Sequence, residues 1–282
     1  MKKLIPISSR VRFRVIFFYL LCLFDGTYFR MVSARNVNKR EGKSFSPQLS
    51  LTQPIRKTSY SSNKVHNLKI AASNFQYLLI QPGEILSFWH LVGAPVSQRN
   101  FRVGRTIIGE ELNTSVGGGL CQLAGILYHL GLQAGWEILE RHAHSLDLYN
   151  DKNRYTPLGA DASVCYGYKD MRMRNTCGVP VILRIEISDE EISAHFCAKH
   201  EVPPCEIEFI EKRKENLIYV KTLRFHPPAW KENLGVSCYK TFESTESFEE
   251  TEKPDIPEKS PLSKDIEQQA LKDWARSEIF SR

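Results

Sequence analysis

The sequence predicts an α+β fold: a single domain of short antiparallel strands packed with a few helices, in which a glycine loop leads into a central helix. Three observations carry that expectation. Gly117-Gly118-Gly119 runs straight into an apolar segment whose Leu120, Leu123, Leu127, Leu130 and Ala134 recur three and four residues apart, the stripe of a buried helix. Short apolar runs bounded by turn residues dominate the region from Ala162 to Phe209. The chain has 282 residues, 42% hydrophobic and 25% charged, which suits one large folded domain or two small ones.

Taken in order, residues 1–40 form a basic, apolar N-terminal arm. Lys2, Lys3, Arg10, Arg12 and Arg14 lead into the run Val15–Phe24, which is too short to span a bilayer as a helix. Two readings stand side by side: the core of a signal peptide with Val32-Ser33-Ala34 as its cleavage site, or an amphipathic or buried N-terminal helix. Residues 41–62 are polar and read as a linker. A domain over 63–242 follows. Val65, Leu68, Ala72, Phe75 and Leu79 keep helical spacing behind Asn63 as a cap, and Pro82-Gly83 breaks the pattern. Glu84–Trp89 and Phe101–Gly109 read as strands, with Phe88-Trp89 as core residues. Gly135 stops the central helix. If Ile138–Leu146 is extended, Glu140, His142 and His144 share one side. A turn at Pro157–Asp161 precedes strands over 162–168, 171–175, 179–187, 192–197 and 207–209. Residues 243–282 read as a flexible tail, rich in Glu, Ser, Thr, Lys and Pro up to 261, with a short helix around Gln268–Phe280.

Charge and cysteine usage exclude several function classes. The net charge is +6, with no Arg/Lys stripe interleaved with aromatics, so nucleic acid is not an expected partner. A basic N-terminus suits an anionic membrane surface or wall polymer better. Seven cysteines at irregular spacing do not make a disulfide framework. No C-x-x-C pair exists, so a zinc ribbon is not expected, and no cofactor is called for.

Cys121 stands out chemically. It lies off the apolar stripe, beside the small residues Ala124 and Gly125, at the junction of glycine loop and helix. A helix start carries unpaired N–H donors and a partial positive charge, which favour a thiolate over a thiol. The bland alternative is a packed, inert cysteine.

Four motifs in order then carry a resemblance. Pro82-Gly83-Glu84 with Ser87-Phe88-Trp89, Gly117-Gly118-Gly119-Leu120-Cys121-Gln122, Glu140-Arg141-His142-Ala143-His144 and Gly159-Ala160-Asp161-Ala162 resemble the VanW family, from roughly Asn67 to Ile187. That resemblance implies a Gram-positive cell-envelope protein linked to glycopeptide resistance. It also implies an L,D-transpeptidase that joins peptidoglycan stem peptides through a cysteine, here Cys121. Acyl transfer needs a nucleophile, a base and oxyanion donors. The candidates are Cys121 as nucleophile, His142 or His144 as base, and Glu140 or Asp161 to orient the imidazole. Gly117, Gly118, Gly119 and Gln122 would line the substrate site, and Arg141 would bind a substrate carboxylate. Two other classes remain open: a zinc site from Cys121, His142 and His144, and a non-catalytic accessory protein that binds stem peptides or a partner.

Overall fold

The computed structural model describes residues 8–33, 36–108, 111–147, 154–226 and 230–241. The expected tail from residue 243 and Ala34 of the cleavage motif lie outside them.

The chain enters the fold through α1 (Ser9–Phe24), where the Ser8 hydroxyl accepts the Val11 N–H as an N-cap. A 3-10 turn (Thr27–Arg30) and one helical turn, α2 (Lys39–Gly42), lead to β1 (Ser46–Pro54), α3 (Ser61–Ala72), β2 (Leu79–Ile80) and β3 (Ile85–Ser87). Next come α4 (Phe88–Val92), the hairpin β4 (Val103–Ile108) and β5 (Glu111–Val116), and the central α5 (Leu120–Gln133). The remainder is strand: β6 (Glu137–Glu140), β7 (Leu146–Asp147), β8 (Arg172–Arg174), β9 (Val181–Ile187), β10 (Glu191–Ala198), β11 (Glu206–Lys214), β12 (Leu217–His226) and β13 (Trp230–Thr241). The fold is α+β, as the sequence predicts.

The strands form four small sheets. One has the order β1-β10-β9-β2 and is antiparallel throughout. A second is the meander β11-β12-β13, with β7 added in parallel to β13. The order β3-β8-β6 makes a third, and β4-β5 the fourth. Helix α5 sits among them, buried nearly all round: Leu120, Leu123, Ala124, Ile126, Leu127, Leu130 and Leu132 are each at most 3% exposed. A helix apolar on every side belongs inside a core, and this one packs against α3, β1, β6, β10 and β11.

Several sequence expectations shift. The supposed linker 41–62 contains β1, an edge strand that buries Leu49 and Gln53 against the sheet and is bulged between Pro47 and Leu49. Its polar composition reflects an edge with one solvated face. Helix α3 starts at Ser61, behind Tyr60, so Asn63 is no cap; its side-chain amide donates to Val103 O of β4 at 2.9 Å. The strand expected at 162–168 is instead a tight loop closed by Cys165 N–H to Lys169 O, with Gly167 at φ +77°. Trp89 and Phe88 are core residues of α4, not strand. Strands β5, β12 and β13 went unread, although Leu217-Ile218-Tyr219-Val220 carries a strand composition.

The glycine loop is wedged against β4. Gly118 meets the backbone of Gly104 so closely that an added Cβ would fall 2.2 Å from the Gly104 carbonyl. Asn67, wholly buried on α3, locks this contact: its amide donates to Arg102 O and Gly118 O, and its carbonyl accepts Arg102 N–H. We expect Gly118→Ala to lower stability by more than about 2 kcal/mol, because backbone rather than a flexible side chain must give way. Urea unfolding measures this; an unchanged midpoint would refute the wedge.

Candidate active site

Cys121 is the second residue of α5, and its half-buried sulfur donates a long hydrogen bond to Val164 O at 3.8 Å. After β6 the chain leaves the sheet, and this break decides which imidazole approaches the sulfur. The His144 backbone N–H and ring Nδ1 both reach Asp161 Oδ2, at 2.8 and 2.6 Å. A carboxylate only accepts, so Nδ1 carries the proton there and Nε2 is the ring nitrogen left for other partners. The ring is close enough to the Cys121 sulfur for each to shift the other's titration. Asp161 is brought to this point by α5 itself: the Asp161–Ala162 backbone runs beside Gly125, in ordinary contact with the place a Cβ would occupy.

Asp161 is held from its other oxygen. Oδ1 accepts from Arg141 Nη2 at 2.7 Å and from the Tyr239 hydroxyl at 2.6 Å. Burial would raise the Asp161 pKa, but the Arg141 guanidinium and His144 outweigh it and hold the carboxyl far below the usual carboxylate range. Burial likewise lowers His144, yet Asp161 and the Cys121 sulfur override it and push the imidazole up to about 10. For Cys121, burial acts upward, and the hydrogen bond and charge of His144 reverse it, so the thiol lies below its ordinary value of 9.0. Both shifts act toward a thiolate–imidazolium pair oriented by a carboxylate.

His142 and Glu140 form a different cluster. His142 Nε2 pairs with Glu140 Oε1 at 3.0 Å, and Glu140 also takes Arg172 Nε and the Asp170 N–H. The alternation expected to bring Glu140, His142 and His144 to one side ends with β6 at Glu140. Arg141 does not face solvent. Its donors go to Asp161, Gly159 O, Ser237 and Tyr239, and its guanidinium lies 5.2 Å from the Tyr128 ring centroid. It is a brace for Asp161 rather than an open carboxylate receptor.

Gly117 and Gly118 are buried in the wedge, so they shape the site rather than line it. Gln122 ties the helix start to β1 through Pro54 O at 3.0 Å, while its Oε1 is buried without a hydrogen-bond partner among the described residues. No side chain among the described residues caps α5. The N–H groups of Gly119, Leu120 and Cys121 donate to no backbone or side-chain oxygen among the described residues, whereas Gln122 N–H returns to Gly119 O.

Two residues of the site, Lys64 and Tyr239, carry no sequence signal. Lys64, on α3, lays its aliphatic stem along Gly119, with Cγ 2.6 Å from where a Cβ would stand. Burial draws its ammonium down to about 8, and the Cys121 charge acts in the opposite direction. It pairs with no acid among the described residues. No pattern marks it, because a lysine off the apolar stripe of a helix reads as a solvated residue. Tyr239 was equally hidden, on the unread β13. Among the described residues, no three His, Cys, Asp or Glu side chains are grouped to hold a metal ion. The Cys121/His142/His144 set is divided because His142 turns to Glu140.

The thiolate depends on His144 staying protonated. His144 titrates near 10 and Cys121 below its ordinary 9.0, so the ion pair occupies the window between the two: it is lost by protonation of the thiol on the acid side and by deprotonation of His144 as pH rises through about 10. We expect alkylation of Cys121 at pH 7 to be faster than that of an ordinary exposed thiol. His144→Ala slows it by about tenfold or more there and restores the pH dependence of an ordinary thiol, while His142→Ala leaves it unchanged. Mass-spectrometric iodoacetamide rates check this; equal effects of the two substitutions would refute it.

Residues 63–197 match the family model described as VanW like protein. The chain is similar to vancomycin B-type resistance protein VanW of Enterococcus faecalis, 34% identical over 133 residues, covering 47% of this chain and 48% of that protein. It is also similar to an uncharacterized protein, YoaR, of Bacillus subtilis, 32% identical over 126 residues, covering 44% and 40%. The chain thus spans about half the length of these relatives, or less. No solved structure matches it. Cys121, His144 and Asp161 all fall inside the matched stretch, which is a VanW-like region of the chain.

Proposed function

We propose that this chain is a cysteine L,D-transpeptidase of the cell envelope, acting on peptidoglycan stem peptides. The observation that carries the reading is the line Asp161–His144–Cys121: a carboxylate hydrogen-bonded to an imidazole, and a half-buried thiol whose titration that imidazole draws down. The vancomycin-resistance name of the enterococcal relative fits a cell-wall peptide as ligand.

The chemistry balances without a cofactor. The Cys121 thiolate adds to the carbonyl carbon of the amide that joins the third residue of the donor stem to its terminal D-residue. The carbon–sulfur bond forms, and the oxyanion is met by the open N–H groups at the head of α5. The amide carbon–nitrogen bond then breaks, and His144 gives its Nε2 proton to the departing amine. A side-chain amine of the acceptor stem attacks the thioester, its proton passes to His144, and sulfur leaves as thiolate. Asp161 keeps the ring in register throughout. Lys64, beside Gly119, receives the terminal carboxylate of the donor, the role once assigned to Arg141.

Incubation of the full chain with purified muropeptides, read by mass spectrometry, tests the assignment. Wild type is expected to give 3–3 cross-linked product and a transient adduct on Cys121, and Cys121→Ala neither. Product formation by Cys121→Ala at the wild-type level would sink the proposal. Muropeptide binding with no product from either protein would leave the accessory, non-catalytic reading. Lys64→Met is expected to raise KM about tenfold for a donor with a free terminal carboxylate and to change nothing for its amidated counterpart.

A further inference from the structure

Helix α1 carries two apolar stripes on opposite sides. Val11, Val15, Phe18 and Cys22 recur at spacings of four, three and four and turn toward the domain. Val11 and Val15 press on Gly167, where a Cβ would fall 2.9 and 3.4 Å from them. Phe18 lies under the Arg172 guanidinium at 5.1 Å, and Cys22 is 3% exposed. Alongside, Arg14 donates to Gly167 O at 2.8 Å and stacks over Tyr168, and the Tyr19 hydroxyl meets His90 Nδ1 at 3.2 Å.

The second stripe repeats the spacing with Phe13, Phe17, Leu20 and Phe24, and none of it is covered. These side chains are 70%, 53%, 47% and 90% exposed, flanked by exposed Ile16, Leu21 and Leu23 and continued by Phe29 in the following turn. A contiguous row of large apolar side chains of this extent marks an interaction surface. Its charge is equally one-sided. Arg10, Arg12 and Arg30 border it, all exposed and with no acidic partner among the described residues. No Asp or Glu occurs between residues 8 and 24.

We propose that this face of α1 docks the protein onto an anionic lipid surface, lying in the plane of the membrane. The helix has 16 residues, about 24 Å long at 1.5 Å per residue, and no described helix is long and apolar enough to cross a membrane. With one stripe already packed on the domain, the aromatic stripe enters the headgroup–acyl boundary while the arginines meet lipid phosphates. A partner protein would offer apolar cover, but the border of unpaired arginines selects a negatively charged layer. The docking also positions the candidate active site. Val164 O of the loop Val164–Lys169 lies 3.8 Å from the Cys121 sulfur, and the same loop holds α1 through Gly167 and Tyr168. The thiol is therefore tied at a fixed distance from the membrane plane.

Sedimentation of the full chain with vesicles tests this independently of any activity at Cys121. We expect binding to phosphatidylglycerol-containing vesicles at least about tenfold tighter than to pure phosphatidylcholine, weakening as salt rises. Phe17→Glu with Leu20→Glu is expected to abolish binding without changing the melting temperature, since both side chains are exposed. Arg10→Gln with Arg12→Gln and Arg30→Gln should erase the lipid preference, at about fivefold per arginine. No binding to anionic vesicles, or equal binding by the double-Glu variant, would overturn the proposal. So would a dimer in light scattering that the same two glutamates dissociate, which would give the face to a second copy.

Discussion

A half-buried carboxylate organises the centre of this protein. Asp161 joins four parts of the chain: the turn at 157–161 that bears it, Arg141 at the end of β6, Tyr239 on β13, and His144 in the irregular stretch beyond β6. An ionised side chain taken from water destabilises a fold unless its partners replace the lost hydration. Here a guanidinium, a phenol, a backbone N–H and an imidazole do so. The same bonds that make the charge tolerable orient His144 toward Cys121. Structural demand and chemical capability are met by one set of contacts.

The glycine triplet works by exclusion. Its middle member has no positive φ to explain it; the reason is the Gly104 backbone, which leaves no volume for a Cβ. Gly117 and Gly119, at φ +83° and +95°, turn the chain from β5 into α5. That turn, locked by Asn67, sets Cys121 on the first turn of the helix with donors open beside it. Lys64 arrives from the same helix as Asn67, one turn earlier, so α3 both clamps the loop and supplies its nearest unpaired cation.

A second polar network lies next to the first without merging with it. Glu140 joins His142, Arg172 and the Asp170 backbone, and Asp170 in turn receives Ser87 and the Trp89 N–H. Burial pushes Asp170 up to about 6. This network sits beneath α1, because Arg172 also reaches the Phe18 ring. The outer helix, the hairpin loop at 165–169 and the thiol thus form a continuous mechanical unit.

The sequence by itself determined the α+β class, the central helix with its stop at Gly135 and the β8, β9 and β10 strands, and it singled out Cys121 as the candidate thiol. These are local signals: apolar periodicity, glycine punctuation and a thiol at a helix start. It also supplied both histidines and both carboxylates, but could not pair them. Alternation along an assumed strand joined Glu140, His142 and His144, whereas the chain leaves the sheet after Glu140 and delivers only His144 to Asp161. It mistook β1 for a linker because an edge strand with a solvated face carries a polar composition. Tertiary structure alone turned Arg141 inward, brought Tyr239 from nearly eighty residues away, and set Lys64 against Gly119. Those choices rest on which buried charges find partners and which backbones can touch, and both are settled only when distant segments meet.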